Sequence, residues 1–221
     1  MATHPGGARA PKKSLTEHVA IQKEFLDTQL QPALDAAVKG NGHVLFVDAA
    51  HFVFGTYLCC LWSIARMFVR AASGRQRFNV LGAWDAVTRQ ALAVTNTTVV
   101  NMNTICELLR KMAAQGMVGP ITVVLDNAKY QRNKLVQGLA AELNIRLLFL
   151  PSYSPNLNLI ERLWGFAKRQ SVYGKYHANF DSFRAAIEKT LAEIPTTHAQ
   201  RLESLMTPKF QEFKDVSLLA G

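Results

Sequence analysis

Apolar residues in this chain fall into two kinds of run, helically spaced stripes and short continuous blocks, and their order along the sequence sets out the elements. Phe25, Leu26, Leu30, Leu34 and Val38 share one helical stripe, which predicts helix from about Leu15 to Lys39. Pro32 is expected to break it into two pieces, and Gly40-Asn41-Gly42 to end it. From His43 to about Val94 only strand patterns occur: 43–48 continuing towards Phe54, then 57–63, 67–70 and 78–84, with a return at 90–95 and turn signals at Gly55, Ser73-Gly74 and Asp85. Helical spacing resumes over 101–115, where Ile105, Leu108, Leu109 and Met112 follow a cap at Asn101 or Asn103. A continuous apolar strand, 121–126, comes next, followed by a helix over 133–144 with Leu135, Val136, Leu139 and Leu143 inward, and a strand over 145–150. After a turn from Pro151 to Pro155, the spacing predicts a helix over 157–170 and a last one over 181–193, capped by Asp181 and stopped by Pro195.

The order is therefore an opening antiparallel meander, counted as three strands, and then helix, strand, helix, strand, helix. A doubly wound sheet would alternate from the start. This order matches the ribonuclease H-like α/β fold, a mixed five-stranded sheet flanked by helices in which the first and fourth strands are neighbours. The expected organisation is a flexible arm and helical lead-in over 1–42, the ribonuclease H-like domain over 43–195, and a weakly patterned tail over 196–221.

Composition narrows the setting. With 221 residues and 49% apolar content the chain can fill one core. Its formal charge is +9, of which +6 falls in residues 127–180, and so dense a positive field favours a polyanionic partner. Three cysteines, Cys59 and Cys60 adjacent, give neither a disulfide framework nor a zinc clamp, and read as core residues of a reducing compartment. The longest apolar stretch, Phe52 to Ala65, stops at Arg66, too short to span a membrane, and Met1 to Ser14 lacks the apolar segment of a signal peptide. A cytoplasmic location is the expectation.

The candidate chemistry lies in three carboxylates. Two buried-strand runs end in aspartate, Val44-Leu45-Phe46-Val47-Asp48 and Ile121-Thr122-Val123-Val124-Leu125-Asp126, and strand 145–150 leads into a helix carrying Glu161. Aspartate is a poor strand former, and the C-terminal ends of parallel strands are where such sheets open their crevices. Carboxylates gathered there repel one another unless a proton or cation intervenes, and hard oxygen donors select Mg²⁺ or Mn²⁺. A pair of such ions about 4 Å apart can activate water or a 3′-hydroxyl for in-line phosphoryl displacement. Each residue has a plainer alternative: Asp48 as a turn residue, Asp126 as a helix cap, and Glu161 as the far end of a capping box begun by Asn158. His51, three residues after Asp48, belongs to the opposite face of a regular strand. Lys168, seven residues after Glu161, shares its helix face, as a phosphate contact or a solvated lysine.

Together the blocks Val47-Asp48-Ala49-Ala50-His51-Phe52, Leu125-Asp126-Asn127-Ala128-Lys129-Tyr130 and Leu150-Pro151-Ser152-Tyr153-Ser154-Pro155-Asn156-Leu157-Asn158-Leu159-Ile160-Glu161-Arg162-Leu163-Trp164 closely resemble those of the IS630 group of bacterial transposases, relatives of Tc1/mariner. Between Asp126 and Glu161 lie 34 residues, the spacing expected in that superfamily. The resemblance covers roughly His43 to Gln170. It implies that Asp48, Asp126 and Glu161 are the catalytic, metal-binding triad of a DDE domain that uses Mg²⁺ or Mn²⁺, two ions in all, to cut double-stranded DNA and join the 3′-hydroxyl to a TA target, as a homodimer. DNA contacts are then expected from Lys129, Arg132, Lys134, Arg162, Lys168, Arg169 and Lys175.

Two departures stand out. Many relatives have Asp at Asn156 and Pro at Leu159, neither of them a triad position. Relatives also carry N-terminal helix-turn-helix modules, for which about 40 residues give no room, so the chain looks like the catalytic half alone. Two other functions stay open at this level: a ribonuclease H-like nuclease without strand transfer, and a remnant that only binds DNA or blocks a full-length transposase. A receiver-like reading with Lys129 beside Asp126 fails on the opening strands.

Overall fold

The computed structural model describes residues 15–55 and 76–210. Its central strand, β1 (His43–Val53), pairs antiparallel with β2 (Arg77–Asp85), which pairs antiparallel with β3 (Ala91–Asn96). On its other side β1 pairs in parallel with β4 (Ile121–Leu125), and β4 with β5 (Ile145–Phe149), giving the order β3-β2-β1-β4-β5. This is the mixed five-stranded sheet of the ribonuclease H-like fold, with the first and fourth strands adjacent as the element order predicts. The expected strands 57–63 and 67–70, with Cys59 and Cys60, lie outside the described residues.

Strand alternation sends successive residues of β1 to opposite faces. Val44, Phe46, Ala50 and Phe52 join Val80 and Trp84 in a core that includes Leu163 and Trp164 of α5 (Ile160–Ser171) and Phe183 and Ile187 of α6 (Phe180–Ala192). Leu45 and Val47 face the second core, built on α3 (Met102–Ala113) and α4 (Lys134–Glu142). The first helices among the described residues, α1 (Leu15–Phe25) and α2 (Gln31–Val38), place Phe25, Leu34 and Ala37 in the first core, and α7 (Ala199–Leu205) places Leu202 there. Among the described residues no helix is long and apolar enough to cross a membrane.

Several local expectations need correction. The lead-in does fall into two α-helical pieces, with Pro32 in the first turn of the second, but they are joined without a gap by a π-helical turn, Leu26–Leu30, closed by Gln31 N–H donating to the Leu26 carbonyl, which takes up the misfit between the proline ring and the preceding turn. Val38 is 69% exposed and Ala37 takes the inward place, because steps of four residues overshoot a 3.6-residue turn. Leu135 is 54% exposed, since the inward stripe of α4 runs through Val136 and Ala140. Asp181 does not cap α6. Asn179 does, in a reciprocal pair with Ser182 that draws Phe180 into the helix. Asn101 is the cap of α3, donors reaching it from Asn103 and Thr104.

Candidate active site

Asp48 is not the end of its strand, as the apolar run suggested, but the sixth of eleven residues of β1. What ends beside it is β4. The parallel pairing runs from His43↔Ile121 to Phe46↔Val124, and the same offset carried two residues further brings Asp126 alongside Asp48. The sheet thus has a step: β1 continues against β2 alone, and the Asp48 side chain lies where parallel pairing has stopped. The chain turns away after Asp126 through Asn127, whose φ of 77° is one asparagine tolerates better than most residues. One Asp126 carboxylate oxygen accepts the Ala128 N–H at 3.3 Å. The Asn127 amide oxygen accepts from the Arg132 guanidinium, which lies 4.7 Å above the Phe149 ring.

Glu161 enters from the other side, in the first turn of α5. The capping-box alternative for it fails: no side chain caps α5, and the Glu161 N–H donates to the backbone carbonyl of Asn158. The Asn158 amide oxygen is instead buried without a partner, and Asn158, Asp126 and Glu161 line one cavity of about 190 Å³ with Leu150, Pro151, Tyr153, Ser154 and Pro155. Asp126 and Glu161 are exposed at its rim, while Asp48 is half-buried beneath the helix.

The electrostatics tie the three carboxylates together. Burial, then the charge of Glu161 and to a lesser degree that of Asp126, push the Asp48 carboxyl up to about 7, opposed by the Ala49 N–H and the Trp164 indole. The indole N–H is near enough to favour the charged form but does not make a well-formed hydrogen bond. Tyr130 shares the same field: burial and the charges of Asp126 and Asp48 push its hydroxyl up to about 12. Among the described residues no three His, Cys, Asp or Glu side chains are gathered closely enough to hold an ion as they stand. The carboxylates therefore interact through charge without forming a closed ligand cage. The donor set nevertheless fits a hard divalent cation. It is all oxygen, includes a buried amide oxygen with no partner, and carries a charge repulsion that Asp48 relieves by keeping a proton.

Trp164 is the residue that sequence reasoning passed over. It lies one turn beyond Glu161, buried, and its ring fills the hollow that Gly82 leaves in β2 directly opposite Asp48. A β-carbon on Gly82 would lie 2.4 Å from that ring. A glycine inside a strand run was the available signal, since it marks close approach. His51 faces away from Asp48, as strand alternation predicts; its Nδ1–H donates to Asn79 Oδ1 at 2.7 Å, and Asn79 donates on to Asn96.

The expected DNA contacts divide. Lys129, Arg132, Lys134 and Arg169 are exposed, and Lys168 is half-buried on α5. Lys175 is exposed, with its ammonium donating to the Gln170 carbonyl. Arg162 is differently engaged: its guanidinium donates to the carbonyls of Leu205, Thr207 and Lys209 and ties α5 to the chain after α7.

Residues 43–184 match the family described as DDE superfamily endonuclease. In structure the chain is similar to the Mos1 transposase paired-end complex with left transposon end, with a TM-score of 0.60 at 14% identity over 95% of this chain and 68% of that one. The Mos1 mariner paired end complex with Mn gives 0.60 at 13% identity over 95% and 68%, and the Mos1 Strand Transfer Complex 0.59 at 14% over 93% and 67%. No curated protein matches the sequence. With the family matched over residues 43–184, most of its length, the chain belongs to the DDE superfamily endonucleases.

Proposed function

We propose that this chain is the catalytic domain of an IS630-group transposase of the Tc1/mariner superfamily, cleaving DNA and transferring the freed 3′-hydroxyl to target DNA. The observation that carries the reading is the charge coupling of Asp48 to Glu161 and Asp126, three carboxylates from β1, α5 and the end of β4. In this reading Asp48, Asp126 and Glu161 hold Mg²⁺ or Mn²⁺, two ions in the active state, with the Asn158 amide oxygen as a further donor. When bound, the metal supplies Lewis acidity and lowers the pKa of an attacking water or hydroxyl. The chain's own part is to present ionised carboxylates at the step in the sheet. Trp164 backs Asp48, and the exposed basic residues of 127–180 receive phosphates. The shared fold with Mos1 complexes described as holding a transposon end, Mn or a strand-transfer product supports the same reading. A TA target, a homodimeric assembly, a helix-turn-helix region supplied in cis or by another polypeptide, and action in the cytoplasm complete it.

The test is nicking of supercoiled DNA and joining of pre-cleaved transposon ends, in Mg²⁺ and in Mn²⁺. Asp126→Asn should abolish both reactions while leaving the unfolding temperature unchanged or raised, because it relieves like-charge repulsion. Full activity in that variant would remove Asp126 from the mechanism. Nicking without joining would favour a nuclease that lacks strand transfer.

A further inference from the structure

The loop that walls the carboxylate cavity is held from outside the matched family segment. Tyr153 adopts φ 59°, a left-handed conformation that side-chain-bearing residues rarely take, and its side chain is 77% exposed. Burial of the ring therefore does not hold it there. Its carbonyl accepts hydrogen bonds from α1, over 130 residues earlier: His18 Nε2 lies at 3.0 Å and the Gln22 amide nitrogen at 3.4 Å. Three residues beyond Tyr153, the Asn156 amide donates to the Gln22 amide oxygen at 3.1 Å. Gln22 is 7% exposed, and its amide works as a two-ended clasp, donating to Tyr153 and accepting from Asn156. His18 Nε2 also lies 2.8 Å from the Gln22 nitrogen. Either it accepts from Gln22, whose other N–H serves Tyr153, or it donates to Tyr153 itself. In both states the Tyr153 carbonyl stays bonded to α1. The helix is a firm base for this, because Phe25 at its end shares a core with Leu150, Leu157, Leu159 and Ile160, which flank the loop on both sides.

We propose that Gln22, with His18, is a positioning residue for the active site, holding the Tyr153–Asn156 segment in its strained shape and so fixing where Glu161 enters. The proposal rests on the carboxylate reading above for its consequence in catalysis, and on the loop geometry alone for the clasp. It makes the chain before the sheet part of the catalytic apparatus, so whatever moves α1 moves the cavity wall.

The experiment uses the full chain with Gln22→Met, which keeps length and apolar bulk but makes neither bond. Amide hydrogen exchange of residues 152–158, measured without metal or DNA, should accelerate roughly tenfold, the factor expected from losing a neutral hydrogen bond or two, while β1 and β4 exchange as before. Single-turnover nicking in Mn²⁺ should slow by a similar factor with DNA affinity unchanged. Adding Tyr153→Asn, a residue that accepts the left-handed region, should return loop exchange towards wild type in the Gln22→Met background. A purely structural role for Gln22 gives no such rescue, so failure of the rescue overturns the proposal, as does unchanged loop exchange in Gln22→Met. Absence of nicking by the wild-type chain would overturn the transposase reading and leave the exchange result to judge the clasp.

Discussion

Asp48 keeps its proton to about pH 7 in the metal-free fold, against 3.8 for a solvated aspartate. Between those values the folded chain holds a proton that the unfolded chain has lost. The contribution of this carboxyl to stability is therefore greatest at the acid end of that window, declines as pH rises towards 7 and is level above it. The full shift sets a ceiling of about 4 kcal/mol, reduced by whatever the neighbouring carboxylates do as they titrate alongside. Asp48→Asn stays neutral throughout, so it should raise the unfolding temperature of the metal-free protein at about pH 8 and change it little near pH 4. Thermal unfolding at both pH values checks this, and an equal gain at both would assign the effect to packing. If Asp48 is a metal ligand, as proposed, a divalent ion competes with the same proton. Half-saturating Mn²⁺ should accordingly fall about tenfold between about pH 6 and pH 8, as the deprotonated fraction of a group titrating near 7 rises from roughly a tenth to nearly all.

At the scale of elements, the step between β1 and β4 sets Asp126 alongside Asp48, and the hollow at Gly82 lets Trp164, one turn beyond Glu161, pack opposite Asp48. Gly82→Ala would drive a β-carbon into a buried indole held between sheet and helix, so it should destabilise by about 1–3 kcal/mol and displace α5 with Glu161 on it. Gly138→Ala is the control. It lies on the exposed side of α4, where an added β-carbon would meet nothing within 4 Å, and it should stabilise by about 0.5–1 kcal/mol. Urea unfolding of the pair, with nicking rates, separates a packing defect at the site from a general sensitivity to added bulk. These elements also show what the sequence made legible. A continuous apolar run identified β4 because both faces of that strand are buried, and the asparagine cap of α3 was readable because capping is local chemistry. Asp48 mid-strand was not legible, since the apolar run stops at the carboxylate while the pairing with β2 goes on to Val53. Nor was the clasp, whose members are separated by more than 130 residues and carry no local signature.

At the scale of the whole molecule, charge and packing divide the basic residues that the sequence grouped together. Arg162 is anchored by three carbonyls between Leu205 and Lys209, while Arg169, on the same helix, is exposed to solvent. If the basic segment receives DNA phosphates, each contact releases counterions, and the logarithm of affinity should fall against the logarithm of salt with a slope of about −0.9 per phosphate neutralised. Arg169→Ala should then make the slope shallower by about 0.9, by the same relation, without changing the unfolding temperature. Arg162→Ala should do the reverse, leaving the slope as it is and lowering the unfolding temperature, because the tail carbonyls lose a charged donor. Fluorescence anisotropy with a random-sequence duplex across a salt series, paired with thermal unfolding, reads both. Phosphate contacts fix orientation without reporting sequence, so terminal-repeat and scrambled duplexes should compete equally for this chain. A clear preference for the terminal repeat would reveal base readout within these residues and would remove the need for a separate helix-turn-helix reader.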